Sequence, residues 1–395
     1  MTSVTPLVLS NEPAAPRLRV AALVATAQVS GPARQLAALA ERAAGTGIEF
    51  LVVVFHRRGR PAPDLARYLG DHGVAHCIVE DRGPLDLWLV ARVGRLLAAW
   101  QPSIVQTHSS KATAVAFALR ALGASWKWVG CFHGLTTEDR KARFYHWVDR
   151  LLLGWADAIV VMSQEQMRHF ARWRTKLRVV PNATVDLEPP GDSGEGLRVR
   201  DRVRGLPHPV IGVVGRLSPE KGVDVFLEAC ALLATRRPAF SVVIAGDGPE
   251  RQRLEGLCRR LSLERRVVFL SHVRDVGAVY GQLDLLVLPS RSEGLPNALL
   301  EGLQTEVPIV ATRVGGIPDV IGTSPAAILV PPESAALLAR AMDTALTDGS
   351  SPAAIAARQE IARRFSVSRR VADHVALYSH VLRRSEPRQG SIRAH

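Results

Sequence analysis

The chain has 395 residues, 47% hydrophobic and 22% charged, which is too long for one ordinary core and too apolar for disorder, so two domains are expected. Lys plus Arg is 50 against 37 for Asp plus Glu, a formal charge of +13 that is nearly all arginine; it suits an anionic substrate, an anionic lipid surface or nucleic acid without choosing among them. The aromatic fraction is 5%, and no apolar run approaches the ~18 to 20 residues of a membrane span, which excludes an integral membrane protein.

The apolar run Val20 to Val29 follows Arg17 and Arg19, but it is short and leads into a helical pattern, so it reads as a first strand and not as a cleaved signal. From about residue 18, short β-branched runs alternate with longer amphipathic stretches, the pattern of βα units around a parallel sheet. The fold class is α/β. Strands are predicted near Arg19 to Ala25, Glu49 to Phe55, His76 to Val79, Ile104 to His108, Trp128 to Phe132, Ala158 to Met162 and Arg178 to Val180, with helices such as Ala33 to Ala43 and Leu85 to Trp100 between them.

Between Val185 and Pro209 the alternation lapses into a Pro- and Gly-containing stretch and then an Arg-rich one, a composition suited to a linker. A second set of strands is predicted at Val210 to Val214, Ser241 to Ala245, Val267 to Leu270, Leu285 to Leu288, Ile309 to Thr312 and Ala327 to Val330. Two Rossmann-like domains facing across a cleft are expected, over residues 1–188 and 209–365 with 189–208 as the linker. Ser366 is placed to cap a last helix over 366–384, with Val371, Val375, Tyr378 and Val381 on one buried face. Residues 385–395 read as a disordered tail. Cys77, Cys131, Cys230 and Cys258 are widely spaced with no CxxC pair, the usage of a reduced compartment, and a cytoplasmic location is expected.

The chemistry concentrates after strands. Val213-Val214-Gly215-Arg216-Leu217-Ser218-Pro219-Glu220-Lys221-Gly222 follows the first strand of the second set. A strand ending in glycine lets backbone approach a ligand, a helix start offers free N–H groups, and Arg216 and Lys221 add two cations, a combination suited to a diphosphate. Solvated loop cations are the bland alternative. A second stretch, Ser290 to Glu301, also follows a buried strand and holds Glu293 and Glu301 with seven residues between them. Glu293 falls in the loop and Glu301 on the following helix, whose start offers the N–H groups of Asn297, Ala298 and Leu299. Two carboxylates can accept hydrogen bonds from the hydroxyl pairs of a sugar or a ribose; a capping acid and a surface helix residue are the ordinary readings. No His and Asp cluster has ligand spacing and no Asp-x-Asp pair is present, so no metal is assigned.

Gly215 to Gly222, Ala245-Gly246-Asp247-Gly248-Pro249, the Pro289 to Gly294 run with its Glu-x(7)-Glu spacing, and Arg313-Val314-Gly315-Gly316-Ile317-Pro318 together resemble glycosyltransferase family 4. The similarity is ordered over residues 205–335 and weaker through the first domain. It implies the GT-B architecture, a nucleoside-diphosphate sugar as donor and retention of anomeric configuration. It implies that Arg216 and Lys221 hold the donor diphosphate, that Glu293 binds donor-sugar hydroxyls beside the N–H groups of Gly294 and Leu295, and that Glu301 binds the ribose. The Asn297, Ala298 and Leu299 backbone would help hold phosphate, and Ser271-His272-Val273-Arg274 resembles the base-contacting segment. His133, before Gly134, matches a position next to the transferred sugar, and Asn182 one near the hinge, where Ala183 stands in place of the usual glycine.

On the acceptor side, Ser30-Gly31-Pro32 occupies the first βα loop, where family members commonly carry two glycines. Thr107-His108-Ser109-Ser110-Lys111 follows another strand, so His108 and Lys111 are candidates to hold an anionic acceptor at a helix start. From Arg140 to Arg178, nine Lys and Arg face three acids, interleaved with Phe144, Tyr145, Trp147, Leu151, Leu152, Leu153 and Trp155; such a segment suits an anionic membrane surface, and a half-buried helix with a solvated face is the alternative. The expected activity is a sugar transfer from a nucleotide-sugar, UDP ahead of GDP or ADP, to a saccharide or lipid-linked saccharide in bacterial surface-polysaccharide or glycolipid assembly. A nucleotide-sugar epimerase is the competing enzyme. A nucleic-acid-binding role is disfavoured because the charge is spread over both halves, and a dinucleotide oxidoreductase because no Gly-x-Gly-x-x-Gly follows the first strand.

Overall fold

The computed structural model describes residues 18–26, 28–84, 86–134, 140–187 and 194–383, without the side chains of 140–144 and 146. The expectations for the segment around Glu188 to Ser193, for Phe144 and for the tail past residue 384 lie outside the described residues.

The first sheet contains β1 (Leu18–Val24), β2 (Ile48–Arg57), β3 (His76–Asp81), β4 (Ile104–Thr107), β5 (Lys127–Phe132), β6 (Ala158–Val161) and β7 (Leu177–Val179), in the order β3-β2-β1-β4-β5-β6-β7. The second contains β8 (Val210–Val214), β9 (Ser241–Ala245), β10 (Val267–Leu270), β11 (Leu285–Leu288), β12 (Ile309–Thr312) and β13 (Ile328–Val330), in the order β10-β9-β8-β11-β12-β13. Every pairing is parallel. Helices cover both faces, which is why the central strands read as unbroken Val, Ile and Leu runs. Each such buried side chain contributes about 1.5 to 3 kcal/mol.

Strand order reverses between β1 and β4 in the first sheet and between β8 and β11 in the second. Crevices at the carboxyl ends of such strand pairs are where open α/β sheets take ligands. The loops that begin at residues 25, 108, 215 and 289 all leave from those ends.

The stretch read as a linker is partly a helix, Gly194–Val203, which buries Val199 and Val203. Their spacing of four puts both on one face, a stripe hidden in the sequence by the arginines around it. A helix Pro352–Arg364, not anticipated, precedes the last helix, Val367–Arg383. Ser366 Oγ accepts from Arg369 N at 3.4 Å at the start of that last helix. The helix crosses back to the first sheet: Val371, Tyr378 and Val381 are buried in one cluster with Leu36, Phe50 and Val52, and the Tyr378 hydroxyl donates to Gln106 Oε1. The chain thus passes between the halves twice, and the two passages touch where Thr184 N donates to Phe365 O at 2.7 Å.

Candidate functional site

In the second half, the turn after β8 and the turn after β11 are packed against each other by glycines. Gly222 has φ +62 and a Cβ there would stand 2.1 Å from Pro289 O. Gly315 has φ +57, and a Cβ on it would stand 2.3 Å from Glu293 O, while Gly316 N donates to Gly294 O at 2.6 Å. Only glycine permits these approaches, so three of the motifs read from the sequence form one scaffold around Glu293. Lys221 Nζ donates to Glu293 Oε1 at 2.6 Å, and Ser290 Oγ donates to the same oxygen at 2.7 Å. Gly215 and the exposed Arg216 lie beside them at the end of β8. Asp247 shapes the turn after β9, its Oδ1 accepting from Gly248 N at 2.8 Å.

Arg291 ties this scaffold from outside. It donates to Pro219 O and to Asp224 Oδ1 at 2.8 and 2.7 Å, and to Glu333 Oε1 at 2.5 Å. Hydrogen bonds from Arg291 and Arg253 hold the Asp224 carboxyl at about 2, against the opposing push of burial.

The helix Asn297–Gln304 begins just past the loop, and Glu301 is 6% exposed, so it is not a surface residue. Its two oxygens accept from Arg34 Nη2 and Tyr280 Oη, each at 2.7 Å. Arg34 comes from the first half. The carboxylate assigned to ribose is therefore engaged across the cleft, by a residue the sequence reading did not single out. Asn297 is engaged likewise: its Oδ1 accepts from Asn182 Nδ2 at 3.1 Å and Gln35 Nε2 at 3.3 Å, and Asn182 Nδ2 also donates to Leu295 O at 2.9 Å. Ala183, in the hinge position, exchanges two hydrogen bonds with the Gln35 carboxamide. Leu299 is fully buried and Ala298 partly so. Gly31 faces the same helix start, for a Cβ there would stand 2.4 Å from Asn297 Nδ2.

His133 and Gly134 face this loop from the first half. Gly134 has φ +118 and its Cβ position lies 3.7 Å from Gly294 N; a Cβ on Gly294 would lie 3.0 Å from His133 O and 2.7 Å from Gln166 Nε2. Gln166 is buried, with Oε1 accepting from Met162 N at 2.7 Å and Nε2 lacking a hydrogen-bond partner among the described residues. His108 stacks on His133 with ring centroids 5.2 Å apart, and His108 Nδ1 lies 3.0 Å from His133 Nε2, one ring donating to the other. Burial, reinforced by Arg370, pushes His133 down to about 4, and burial beside His133 also lowers His108. Both rings are neutral at neutral pH. His108 thus backs the histidine matched to the sugar instead of standing apart as an acceptor contact. Lys111 also differs from expectation: its Nζ donates to Asp81 Oδ2 and Gly83 O, both at 2.5 Å, because the start of its helix abuts the end of β3, and this ion pair fixes the loop.

His272 is exposed and Val273 half-buried. Both line a cavity of about 270 Å³ bordered on the other side by Asp64, Arg67 and Tyr68 of the first half, with Arg274 Nη2 3.1 Å from Asp64 Oδ1 across it. The sequence motifs thus meet at one cleft. What sequence reasoning missed is the set of cross-cleft partners, Arg34, Gln35 and Gln166, and Tyr280 within the second half; only Arg34 and Gln35 carried an advance signal, their place on the helix that follows β1 at a switch point.

Two family models match the chain: Glycosyltransferase Family 4 over residues 29–188 and Glycosyl transferases group 1 over residues 201–361. Among curated relatives, a 2-deoxystreptamine glucosyltransferase of Streptomyces kanamyceticus is 33% identical, over 52% of this chain and 54% of its own length. An alpha-D-kanosaminyltransferase of the same organism is 28% identical over 72% and 70%, and a D-inositol 3-phosphate glycosyltransferase of Corynebacterium glutamicum 30% identical over 66% and 62%. The matched part of the chain thus spans roughly half to two thirds of the length of these relatives. The fold is shared with the crystal structure of Anabaena HepE in complex with UDP and glucose, TM-score 0.77 and 22% identity over 92% of this chain and all of that one. It is shared also with sucrose-phosphate synthase from Thermosynechococcus elongatus, TM-score 0.76 and 20% identity over 93% and 100%. With the two models falling one on each sheet and three glycine-bearing motifs closing around one carboxylate, the chain belongs to the family 4 glycosyltransferases and has the two-Rossmann-domain GT-B fold.

Proposed function

We propose that the protein is a retaining glycosyltransferase that moves a sugar from a nucleoside-diphosphate sugar to a saccharide or lipid-linked saccharide acceptor. The observation that carries this reading is the meeting of Lys221 and Glu293, 2.6 Å apart, with His133 and Gly134 directly across the cleft. UDP is favoured as the donor base because the GT-B neighbour Anabaena HepE was crystallised with UDP and glucose. In this reading Arg216 and Lys221 take the diphosphate, Glu293 a hydroxyl pair of the sugar, and Glu301 the ribose once Arg34 gives way.

The chemistry is charge stabilisation. The bond from the anomeric carbon to the diphosphate breaks, leaving negative charge on phosphate and positive charge on the ring. The acceptor hydroxyl oxygen bonds the same carbon from the same face, and its proton passes to the departing phosphate oxygen. Fixed cations at the leaving group lower that barrier, so the reading needs neither a metal nor a nucleophilic carboxylate. Neutral His133 is suited to orient a hydroxyl.

The same reading includes a visit to an anionic membrane. Among the described residues no helix is long and apolar enough to cross one. Tyr145, Trp147 and Leu151 of the helix Arg140–Leu153 are exposed, and Trp155 just after it is 70% exposed. Aromatics beside basic residues favour the interfacial layer of a bilayer, at about 1 kcal/mol per cation against anionic lipid.

The test is a thermal-shift screen against UDP, GDP, ADP, NAD and short DNA, with and without a divalent metal. A ligand of the folded state adds about 2.7 kcal/mol at a hundred times its dissociation constant. A metal-independent shift with one nucleoside diphosphate, lost in Arg216→Ala, is expected; a response to NAD or DNA alone overturns the reading.

A further inference from the structure

A second large cavity lies away from this cleft. It is a groove of about 990 Å³ between the run Arg178 to Asn182, at the edge of the first sheet, and the last helix, Val367–Arg383. Arg178, Arg363, Arg364, Arg369, Arg370 and Arg383 line it, and the one carboxylate in its lining is Asp373. That acid is already paired, 3.3 Å from Arg369 Nε. Arg363 has a partner outside the groove, Glu360 at 2.8 Å.

Arg370 is the informative member. It is 4% exposed, and its Nη1 donates to Pro181 O at 2.8 Å, Asn182 Oδ1 at 2.9 Å and Gln35 Oε1 at 3.3 Å, all uncharged. Its Nε has no hydrogen-bond partner among the described residues. A guanidinium taken out of water without a counter-ion is costly, and burial lowers its affinity for the proton to about 10. Arg178 stands opposite, its Nη2 2.8 Å from His380 Nε2. Among the described residues, positive charge here is concentrated beyond what the lining acid balances, in a concavity roomy enough for a ligand.

We propose that this groove is a binding site for a phosphate-bearing ligand. Several arginine forks converge on it, and the planar guanidinium matches phosphate oxygens two at a time. A dianion supplies the counter-charge Arg370 lacks. Two sources carry that chemistry, a free phosphorylated metabolite and a phospholipid headgroup. The site is separate from the donor cleft, although Arg370 bonds Asn182, which in turn bonds Leu295 O and Asn297 of the donor loop.

The test uses pyrophosphate as probe for the free ligand and phosphatidylglycerol vesicles, against phosphatidylcholine, for the headgroup. Calorimetric titration of the intact chain is run at fixed ionic strength in four forms. These are the wild type, Arg216→Ala/Lys221→Ala, Arg364→Glu/Arg369→Glu, and a control reversal of two exposed arginines elsewhere, Arg259→Glu/Arg260→Glu. Pyrophosphate binding is expected to survive in Arg216→Ala/Lys221→Ala, to weaken at least tenfold in Arg364→Glu/Arg369→Glu, and to stay within twofold in the control. UDP binding, read in parallel, should respond in the opposite order, so failure of the donor reading is seen separately. Binding of phosphatidylglycerol vesicles alone, lost in Arg364→Glu/Arg369→Glu and kept in the control, supports the groove and assigns it to a headgroup. Loss of pyrophosphate binding with Arg216 and Lys221, together with vesicle binding indifferent to Arg364 and Arg369, overturns the proposal. Equal weakening in the control does so too, since it reduces the effect to net charge.

Discussion

Removing the Lys221 ammonium separates catalysis from folding. In Lys221→Ala the leaving diphosphate loses one fixed charge, and deletion of one such stabiliser costs about 10² to 10³ in kcat, or ~2.7 to 4 kcal/mol. The folded state loses less. Glu293 keeps its Ser290 hydrogen bond at 2.7 Å, and the side chain of Lys221 is 26% exposed, so the pair is worth less than the ~3 to 5 kcal/mol of a fully buried one, about 1 to 2 kcal/mol. For domains of this size that lowers Tm by about 2 to 8 °C, which leaves the enzyme folded at 25 °C. Release of nucleoside diphosphate from the donor found in the screen, normalised to folded protein by circular dichroism, reads the first quantity; a melting curve reads the second. A kcat within tenfold of wild type, or an activity loss that only follows the unfolded fraction, would refute the assignment of Lys221 to the leaving group.

Other substitutions test the scaffold. Gly315→Ala places a Cβ 2.3 Å from Glu293 O at a φ of +57, so it should cost about 1 to 3 kcal/mol and weaken nucleotide-sugar binding more than UDP binding; equal affinities by calorimetry would show that Glu293 does not depend on that turn. Glu301→Ala leaves the buried Tyr280 hydroxyl and Arg34 without their acceptor, a loss of about 2 to 4 kcal/mol, measurable by urea unfolding; a midpoint unchanged from wild type would show that the cross-cleft pair does not hold the halves. Acid should destabilise the fold well before the carboxylates titrate. His133 and His374 are lowered by burial to about 4 and about 3, below the unfolded value of ~6.5, so the unfolded chain takes up protons first and stability falls as pH drops from ~6.5 through 4. Asp149, raised to about 6 by burial, acts in the opposite direction between ~6 and 4. Urea midpoints against pH should therefore decline over that range and flatten in His374→Asn; an unaltered slope assigns the titration to other groups.

The sheets were legible because both faces of each are covered, which leaves continuous runs such as Val210 to Val214 and Leu285 to Leu288 that coincide with β8 and β11. The loops around Glu293 were legible for a related reason, since close backbone approach demands glycine at fixed places, and Gly222, Gly294 and Gly315 mark them in the sequence. The partners across the cleft were not. Arg34 and Glu301 are 267 residues apart, and nothing in a local pattern distinguishes an arginine that reaches another domain from one in water. Lys111 shows the same limit, for its Asp81 partner lies 30 residues away at the end of β3. The helix Gly194–Val203 was hidden because two valines are enough to dock it, too few to outweigh a basic composition.

The return of the last helix to the first sheet makes sequence order a poor guide to what can be cut and exchanged. A fragment ending near residue 188 would lack Val371, Leu377, Tyr378 and Val381, part of the same hydrophobic cluster as Leu36, Phe50 and Val52, and would leave Gln106 without the hydroxyl that caps it. Anyone grafting the first half of this chain onto the second half of a relative should therefore move two pieces together, the residues up to the hinge and the final helix. A chimera joined at a single point would pair the first half with a helix shaped for another surface.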